Sequence, residues 1–307
     1  MTRGAVLTPT SAPTRRAGLL WGLLGVTAFS FTVPFTRVAV EGLSPLFIGS
    51  GRAVVAAALA ALALAITGQT PPTARQWVRL AIVAGGVFAG FPILTSFALT
   101  TAPASHGAVV IAILPAATAV MVVLRTQERP TRSFWAFAAL GAIAAVGFAG
   151  LQGDGFAGVT WSDLLLFAAV LAAAIGYAEG GLLARELGSW QTVSWALALA
   201  SPAMITLTTV SVVQEPPHGT AVQWLAFAYL GVISMFLGFF AWYRGLSIGP
   251  MAQVSQVQLV QPVMSILWAA IILHEQITWP TVLGGAAVIG CAGLAIRTRT
   301  RATSGGT

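Results

Sequence analysis

The chain has 307 residues, 57% of them hydrophobic and only 7% charged. A soluble domain carries about 25% charged residues, so this composition cannot cover a water-facing surface and reads as an integral membrane protein. The net charge of +7 rests on fifteen arginines and no lysine, spread singly between apolar runs; that is the pattern of membrane loops, not of a nucleic-acid-binding face.

Composition also excludes chemistry. The lone cysteine, Cys291, rules out an internal disulfide or a thiolate metal site. Asp154 and Asp163 are the only aspartates, too few for an Asp-rich Mg²⁺-diphosphate cradle, and no G-x-x-x-x-G-K-[ST] phosphate loop is present. No catalytic constellation, cofactor or metal is expected. The all-arginine usage points to a GC-rich bacterial genome.

Residues 1–16, rich in Thr, Ser, Pro and Arg, read as a disordered tail. Ten apolar runs of membrane-crossing length follow, at 17–37, 46–67, 77–99, 104–124, 134–151, 162–183, 190–213, 222–243, 251–272 and 279–296. The first is long and lacks a small-x-small cleavage site, so it reads as an uncleaved span and not a signal peptide. Short polar connectors such as "TGQTPPTARQ", "RTQERPTRS" and "QEPPHGT" separate the runs, and residues 298–307 form a second tail. With the N-terminus in the cytoplasm, every arginine except Arg37 and Arg52 lies in an inside loop or tail. The expectation is an all-α protein of the bacterial inner membrane with ten transmembrane helices and both termini cytoplasmic.

The chain repeats itself at a shift of 147 residues. "LTTAPASHGAVVIAILP" (99–115) falls on "LSIGPMAQVSQVQLVQP" (246–262), pairing Leu99 with Leu246, Pro103 with Pro250, Val110 with Val257 and Pro115 with Pro262. Further on, Glu128 pairs with Glu275 and Thr131 with Thr278; at a shift of 148, Arg37 meets Arg185. Two repeats, 17–151 and 162–297, each hold five spans. An odd number of spans makes the two copies face opposite ways, and the charges agree: Glu128 is ringed by Arg125, Arg129 and Arg132, whereas "LHEQITW" around Glu275 has no arginine. Inverted repeats mark many secondary transporters, whose substrates bind near the midplane between the copies.

These segments resemble the EamA-type transporters of the drug/metabolite transporter superfamily. "VAVEGLSPLFIGSGRAVVAAALAAL" (38–62) is similar to the family's connector and early arginine of span two, and the two helix–Pro–helix–Glu segments are similar to its paired halves. The resemblance spans residues 17–297 and implies a carrier with no catalytic activity. It departs in span one, which reads "FSFTVPFTR" where the family often has a Trp-Gly pair, and at Ala53, where the family has an aromatic.

Polar groups in a span tend to face the bundle interior or a cavity. Gln253, Gln256 and Gln261 share one helical arc of span nine, with Gln258 further round; their amides either bind a polar substrate or join helices. His106 is the repeat equivalent of Gln253 and is a candidate for binding substrate or carrying a proton, because histidine ordinarily titrates near ~6.5. Glu179 either relays a coupling proton, binds a cationic group or pairs with a nearby arginine such as Arg185. Arg37 and Arg52, at the outward ends of spans one and two, either greet an anionic substrate, hold Glu41 or snorkel to the interface. Phe29, Phe31, Tyr177, Phe239, Trp242 and Tyr243 are candidate cavity walls. Pro34, Pro92, Pro115, Pro202 and Pro262 are expected to bend their spans.

The function these features predict is secondary transport of a small polar or amphipathic metabolite, an amino acid or a related compound, and the resemblance implies export. Coupling would come from protons or from the substrate's own gradient, and the chain would be a monomer or weak homodimer. A passive facilitator and a sugar-phosphate or nucleotide-sugar exchanger are the alternatives; the exchangers typically use lysine in the site, and this chain has none.

Overall fold

The structure is a computed structural model and describes residues 12–126, 131–152, 159–248, 254 and 257–304. Among these the chain is helical, with no strand. Seven helices are long and apolar enough to cross a membrane: Arg16–Ala39, Pro45–Thr67, Ala74–Ala98, Ala104–Arg125, Trp161–Leu187, Ser189–Gln214 and Ala221–Ile248. Arg132–Phe148, Gln258–Ile272 and Trp279–Ala295 are shorter apolar helices. The protein is a multi-pass membrane protein. Helix begins at Ala12 and ends at Ser304, so both segments read as tails carry some helix.

Several spans are composite. The first is α1 (Ala12–Ser30) and α2 (Thr32–Ala39), joined at Phe31. Next comes α3 (Pro45–Thr67), started by Ser44, whose hydroxyl accepts from the Phe47 N–H, and stopped by Gly68 in the left-handed region at φ 57°. The third span is α4 (Ala74–Val83), a π-helical stretch (Ala84–Gly90) and α5 (Phe91–Ala98). The fourth is α6 (Ala104–Ile111) and α7 (Leu114–Thr126); α8 (Arg132–Gln152) follows. Then come α9 (Trp161–Leu187) and α10 (Ser189–Gln214), separated only by Gly188 at φ 96°. The next span is α11 (Ala221–Tyr229), a π-helical stretch (Leu230–Gly238) and α12 (Phe239–Ile248). A 3₁₀ turn (Gln258–Val260) leads into α13 (Gln261–Ile272), and α14 (Trp279–Ser304) closes the chain.

The irregularities recur at the repeat spacing. The π stretches at 84–90 and 230–238 occupy equivalent positions. So do the break at Ala112–Ile113 before Pro115 and the 3₁₀ turn before Pro262. Each proline lacks the N–H that would bond four residues back, so the helix ahead of it must tighten or bend. At Pro34 the freed carbonyl is that of Ser30, which accepts from the Ser265 hydroxyl at 2.7 Å. Pro202, by contrast, sits inside the uninterrupted α10, and the carbonyl it frees on Ala198 accepts from the Ser201 hydroxyl.

Helix packing follows the same symmetry. The first span lies along α12, as α9 lies along the third span; α3 packs on α10, and α8 on α14. Small residues permit the closest approaches. A Cβ on Gly25 would stand 2.8 Å from the Trp242 nitrogen, and one on Gly86 would stand 2.3 Å from the Ala172 carbonyl oxygen.

Hydrogen bonds sort the connections to two ends of the bundle. At one end Arg37 donates to the Leu99 and Thr100 carbonyls, Glu275 accepts from the Ala104 and Ser105 N–H groups, and Ser44 bonds Ser211. At the other, Gln191 reaches Gln69, Ser189 donates to the Tyr243 carbonyl, and Arg79 and Arg125 meet Glu179.

Candidate functional site

A cavity lies where the two halves of the chain meet. From the first half it is lined by Phe29, Thr32, Arg52, Phe91 and Leu114, among others, and from the second by Tyr177, Ser234, Phe239 and Gln261. About 30 Å³ of it is open to the centre of a water-sized sphere, room for a water or two and not for a metabolite. A smaller void of about 10 Å³ shares Val33, Ile111, Leu114 and Gln261 with it and adds Gln258, Pro262 and Ser265.

The wall is mostly apolar and aromatic with a few placed polar groups, the composition of a small-molecule site. Thr32 and Ser234 bond each other through their hydroxyls at 2.7 Å across the two halves. The Arg52 side chain is buried, at 1% exposure, and one terminal nitrogen donates to the Thr95 hydroxyl at 3.2 Å. Its Nε is buried and has no hydrogen-bond partner among the described residues.

Different chemistry lies towards each end of the bundle. On the side of the Arg37 and Glu275 contacts, Phe31 stacks on Trp268 with ring centroids 4.5 Å apart, and Phe31 and Phe35 both meet Tyr229 edge-on. Trp268 Nε1 donates to the Ser30 hydroxyl, and the Tyr229 hydroxyl donates to the Ala28 carbonyl. On the opposite side Glu179 accepts from the guanidiniums of Arg79 and Arg125, and Arg79 also reaches Glu186. That cluster ties α4, α7 and α9 together.

The predicted site residues fall into separate places. Tyr177 and Gln261 line the cavity, and Phe31 belongs to the aromatic cluster beside it. Glu179 pairs with Arg79 and Arg125, partners more than fifty residues distant, which local spacing around Arg185 does not suggest. Arg37 caps the carbonyl end of α5. Trp242 and Tyr243 are buried on packing faces and do not line the cavity: the backbone of Trp242 lies against Gly25, and the Tyr243 hydroxyl lies against Gly180. His106 is buried away from the cavity: it meets Asp163 at 2.6 Å and stacks on Phe148. Asp163 also accepts from the Thr160 N–H and hydroxyl, capping α9. Gln253 and Gln256 lie outside the described residues. Gln258 and Gln261 come together because the 3₁₀ turn eclipses residues three apart. Pro34, Pro115 and Pro262 each sit at or just after a helix break.

Arg52 is the residue that sequence reasoning underweighted. Snorkelling is the default for an arginine near a span end, but Arg52 lies two turns into α3, and its side chain points into the protein. The signal was its depth: the seven residues from Pro45 amount to about 10 Å of helix rise.

The comparisons with known proteins agree with this architecture. The EamA-like transporter family matches the chain twice, at residues 16–150 and 160–297. The uncharacterized transporter YdeK of Bacillus subtilis (strain 168) is 42% identical over 283 residues, covering 91% of this chain and 97% of its own. One crystal structure superimposes with a TM-score of 0.62 over 94% of this chain and 99% of its own; at 19% identity it bears on fold alone. With its family pattern in two copies and a near-full-length transporter relative, the chain belongs to the EamA-like transporter family.

Proposed function

We propose that this transporter is a ten-span secondary carrier of two inverted five-span repeats. It exports a small polar or amphipathic metabolite, such as an amino acid, from the bacterial cytoplasm by alternating access. Both termini are cytoplasmic in this reading, because the end of the bundle carrying Arg75, Arg79, Arg125 and Arg185 would then obey the positive-inside rule. The observation that carries the proposal is the central cavity, built from both halves and closed on one side by an aromatic cluster and on the other by an ion-pair cluster. A site reached alternately from two sides needs two closures that open in turn. Paired π stretches, paired proline breaks and paired helix packings support the inverted repeat.

Saturable solute counterflow in proteoliposomes tests the reading. Flux that rises without saturation would instead support a passive facilitator. Topology is tested by single cysteines at Thr70 and Gln276 in a Cys291→Ala background. Inverted repeats require labelling from opposite faces of the membrane, and labelling of both from one face rejects them.

A further inference from the structure

Arg52 is a buried cation without a counter-ion. Its side chain is almost wholly shielded, and among the described residues no carboxylate pairs with it. The buried acids among the described residues are engaged elsewhere, Glu179 by Arg79 and Arg125 and Asp163 by His106, and Glu275 accepts from the start of α6. Among the described residues no acid lines the cavity. Burying a guanidinium this way is costly, and the usual remedy is an anion that completes it.

We infer that Arg52 recognises the carboxylate of the transported substrate, which is a monoanionic carboxyl group on an apolar or aromatic body. This rests on the transport reading above and names the substrate class of that cavity. The guanidinium fork matches a carboxylate bidentately, and its Nε–H has no other acceptor. Thr95 steadies the group from one side: its hydroxyl donates to the Phe91 carbonyl at 2.6 Å and so accepts from Arg52. A phosphate dianion fits less well, because among the described residues Arg52 is the one cation on the cavity wall. Phe29, Phe91, Phe239 and Tyr177 face the same space and suit an apolar body, with the Thr32–Ser234 hydroxyls and the Gln261 amide left for a second polar group such as an amine. The charge is not duplicated: at the 148-residue shift that pairs Arg37 with Arg185, Arg52 meets Ala200. The chain therefore has a single carboxylate subsite, set off-centre in the first half.

The test uses the purified full-length protein and pairs of ligands that differ only in the acid: 3-phenylpropionate with 3-phenylpropionamide, isovalerate with isovaleramide, and L-phenylalanine and L-leucine with their amides. Binding is read by ligand-induced thermal stabilisation, and transport by counterflow. The wild-type protein is expected to prefer the acid in at least one pair by about tenfold or more, the size of a charge-assisted bond. Arg52→Gln should abolish that preference, and Arg52→Lys should keep part of it. Thr95→Val, which leaves the charge in place, keeps the test available if Arg52→Gln does not fold; it should weaken acid binding while leaving amide binding unchanged. Preference for isovalerate or 3-phenylpropionate over the amino acids would identify a simple carboxylate, and the reverse an amino acid. Equal binding of acid and amide by the wild type, no binding of any acid, or an acid preference that survives in Arg52→Gln overturns the inference. The same proteoliposomes are then tested with a panel of neutral and cationic metabolites. Saturable counterflow of one of these would leave the carrier reading standing without the carboxylate; its absence for every solute would remove the carrier reading itself.

Discussion

The Ser265 hydroxyl donates to the backbone carbonyl of Ser30 at 2.7 Å, the same carbonyl that Pro34 leaves without its helical partner. One proline thus bends the first span at Phe31 and offers the freed acceptor to α13 in the other half. Trp268, three residues after Ser265, adds a bond from its indole to the Ser30 hydroxyl at 2.9 Å. The bend and the Phe31–Trp268 stack are therefore parts of one junction.

That linkage predicts a coupled energy. Ser265→Ala leaves a buried carbonyl unsatisfied and should destabilise the protein by about 1–3 kcal/mol. With Pro34→Ala, residue 34 regains an N–H that can bond Ser30, so adding Ser265→Ala should then cost less than about 1 kcal/mol. Thermal unfolding of both single variants and the double variant in detergent measures the difference. Strict additivity would mean the two residues do not share this carbonyl.

The cluster towards the opposite end is ionic. Glu179 is buried at 3% exposure and holds Arg79 and Arg125 on different helices. Glu179→Gln leaves two guanidiniums facing a neutral amide, and like charges then repel across the gap between α4 and α7. Hydrogen exchange should rise in residues 74–83 and 119–125 and stay level in residues 221–230, at the aromatic end. A uniform rise along the chain would show general loosening and not the release of one closure.

Much of the architecture was legible in the sequence because the bilayer imposes it. Apolar runs of fixed length gave the helices, and a shared spacing of rare residues, Pro115 to Pro262, matches the helix breaks that recur in the structure. The π stretches were not legible: "AGGVFAG" and "LGVISMFLG" read as ordinary apolar helix, and only the bonding pattern separates them. The partners of Glu179 and His106 were hidden for another reason. Arg79, Arg125 and Asp163 come from other spans, and helix periodicity carries no information about which span is the neighbour. Arg52 was visible as a charge but not as an unpaired one, since pairing is a property of packing.

Span nine gives a further prediction. Gln258 and Gln261 border the voids at the junction of the halves, and Gln258 is buried at 5% exposure. Gln261→Ala should weaken substrate binding by about threefold to tenfold, the loss of one neutral hydrogen bond. Gln253→Ala and Gln256→Ala, read from the sequence as lining the site, should also change substrate affinity while protein level holds. Concentration dependence of counterflow, at matched protein levels, reads each effect as a change in KM. Any of these glutamines whose loss leaves KM unchanged does not contact substrate.

The last prediction concerns the coupling proton. His106 and Asp163 form a buried pair at 2.6 Å on the aromatic-closure end of the bundle. Histidine is the side chain whose ordinary titration falls between pH 5 and 8, and Glu179, the other buried acid, already serves two arginines. If a proton is carried with substrate, the His106–Asp163 pair is the place for it, and because neither residue lines the cavity its role is separable from binding. His106→Gln keeps a hydrogen-bonding side chain near Asp163 but removes the imidazole. Counterflow in this variant should persist, since exchange needs no net proton movement, while uptake driven by an imposed pH gradient should fall to the level seen without one. Gradient-driven uptake that survives in His106→Gln would leave the pair as a cap of α9 held by Thr160 and Asp163, and coupling would have to be sought at the substrate itself.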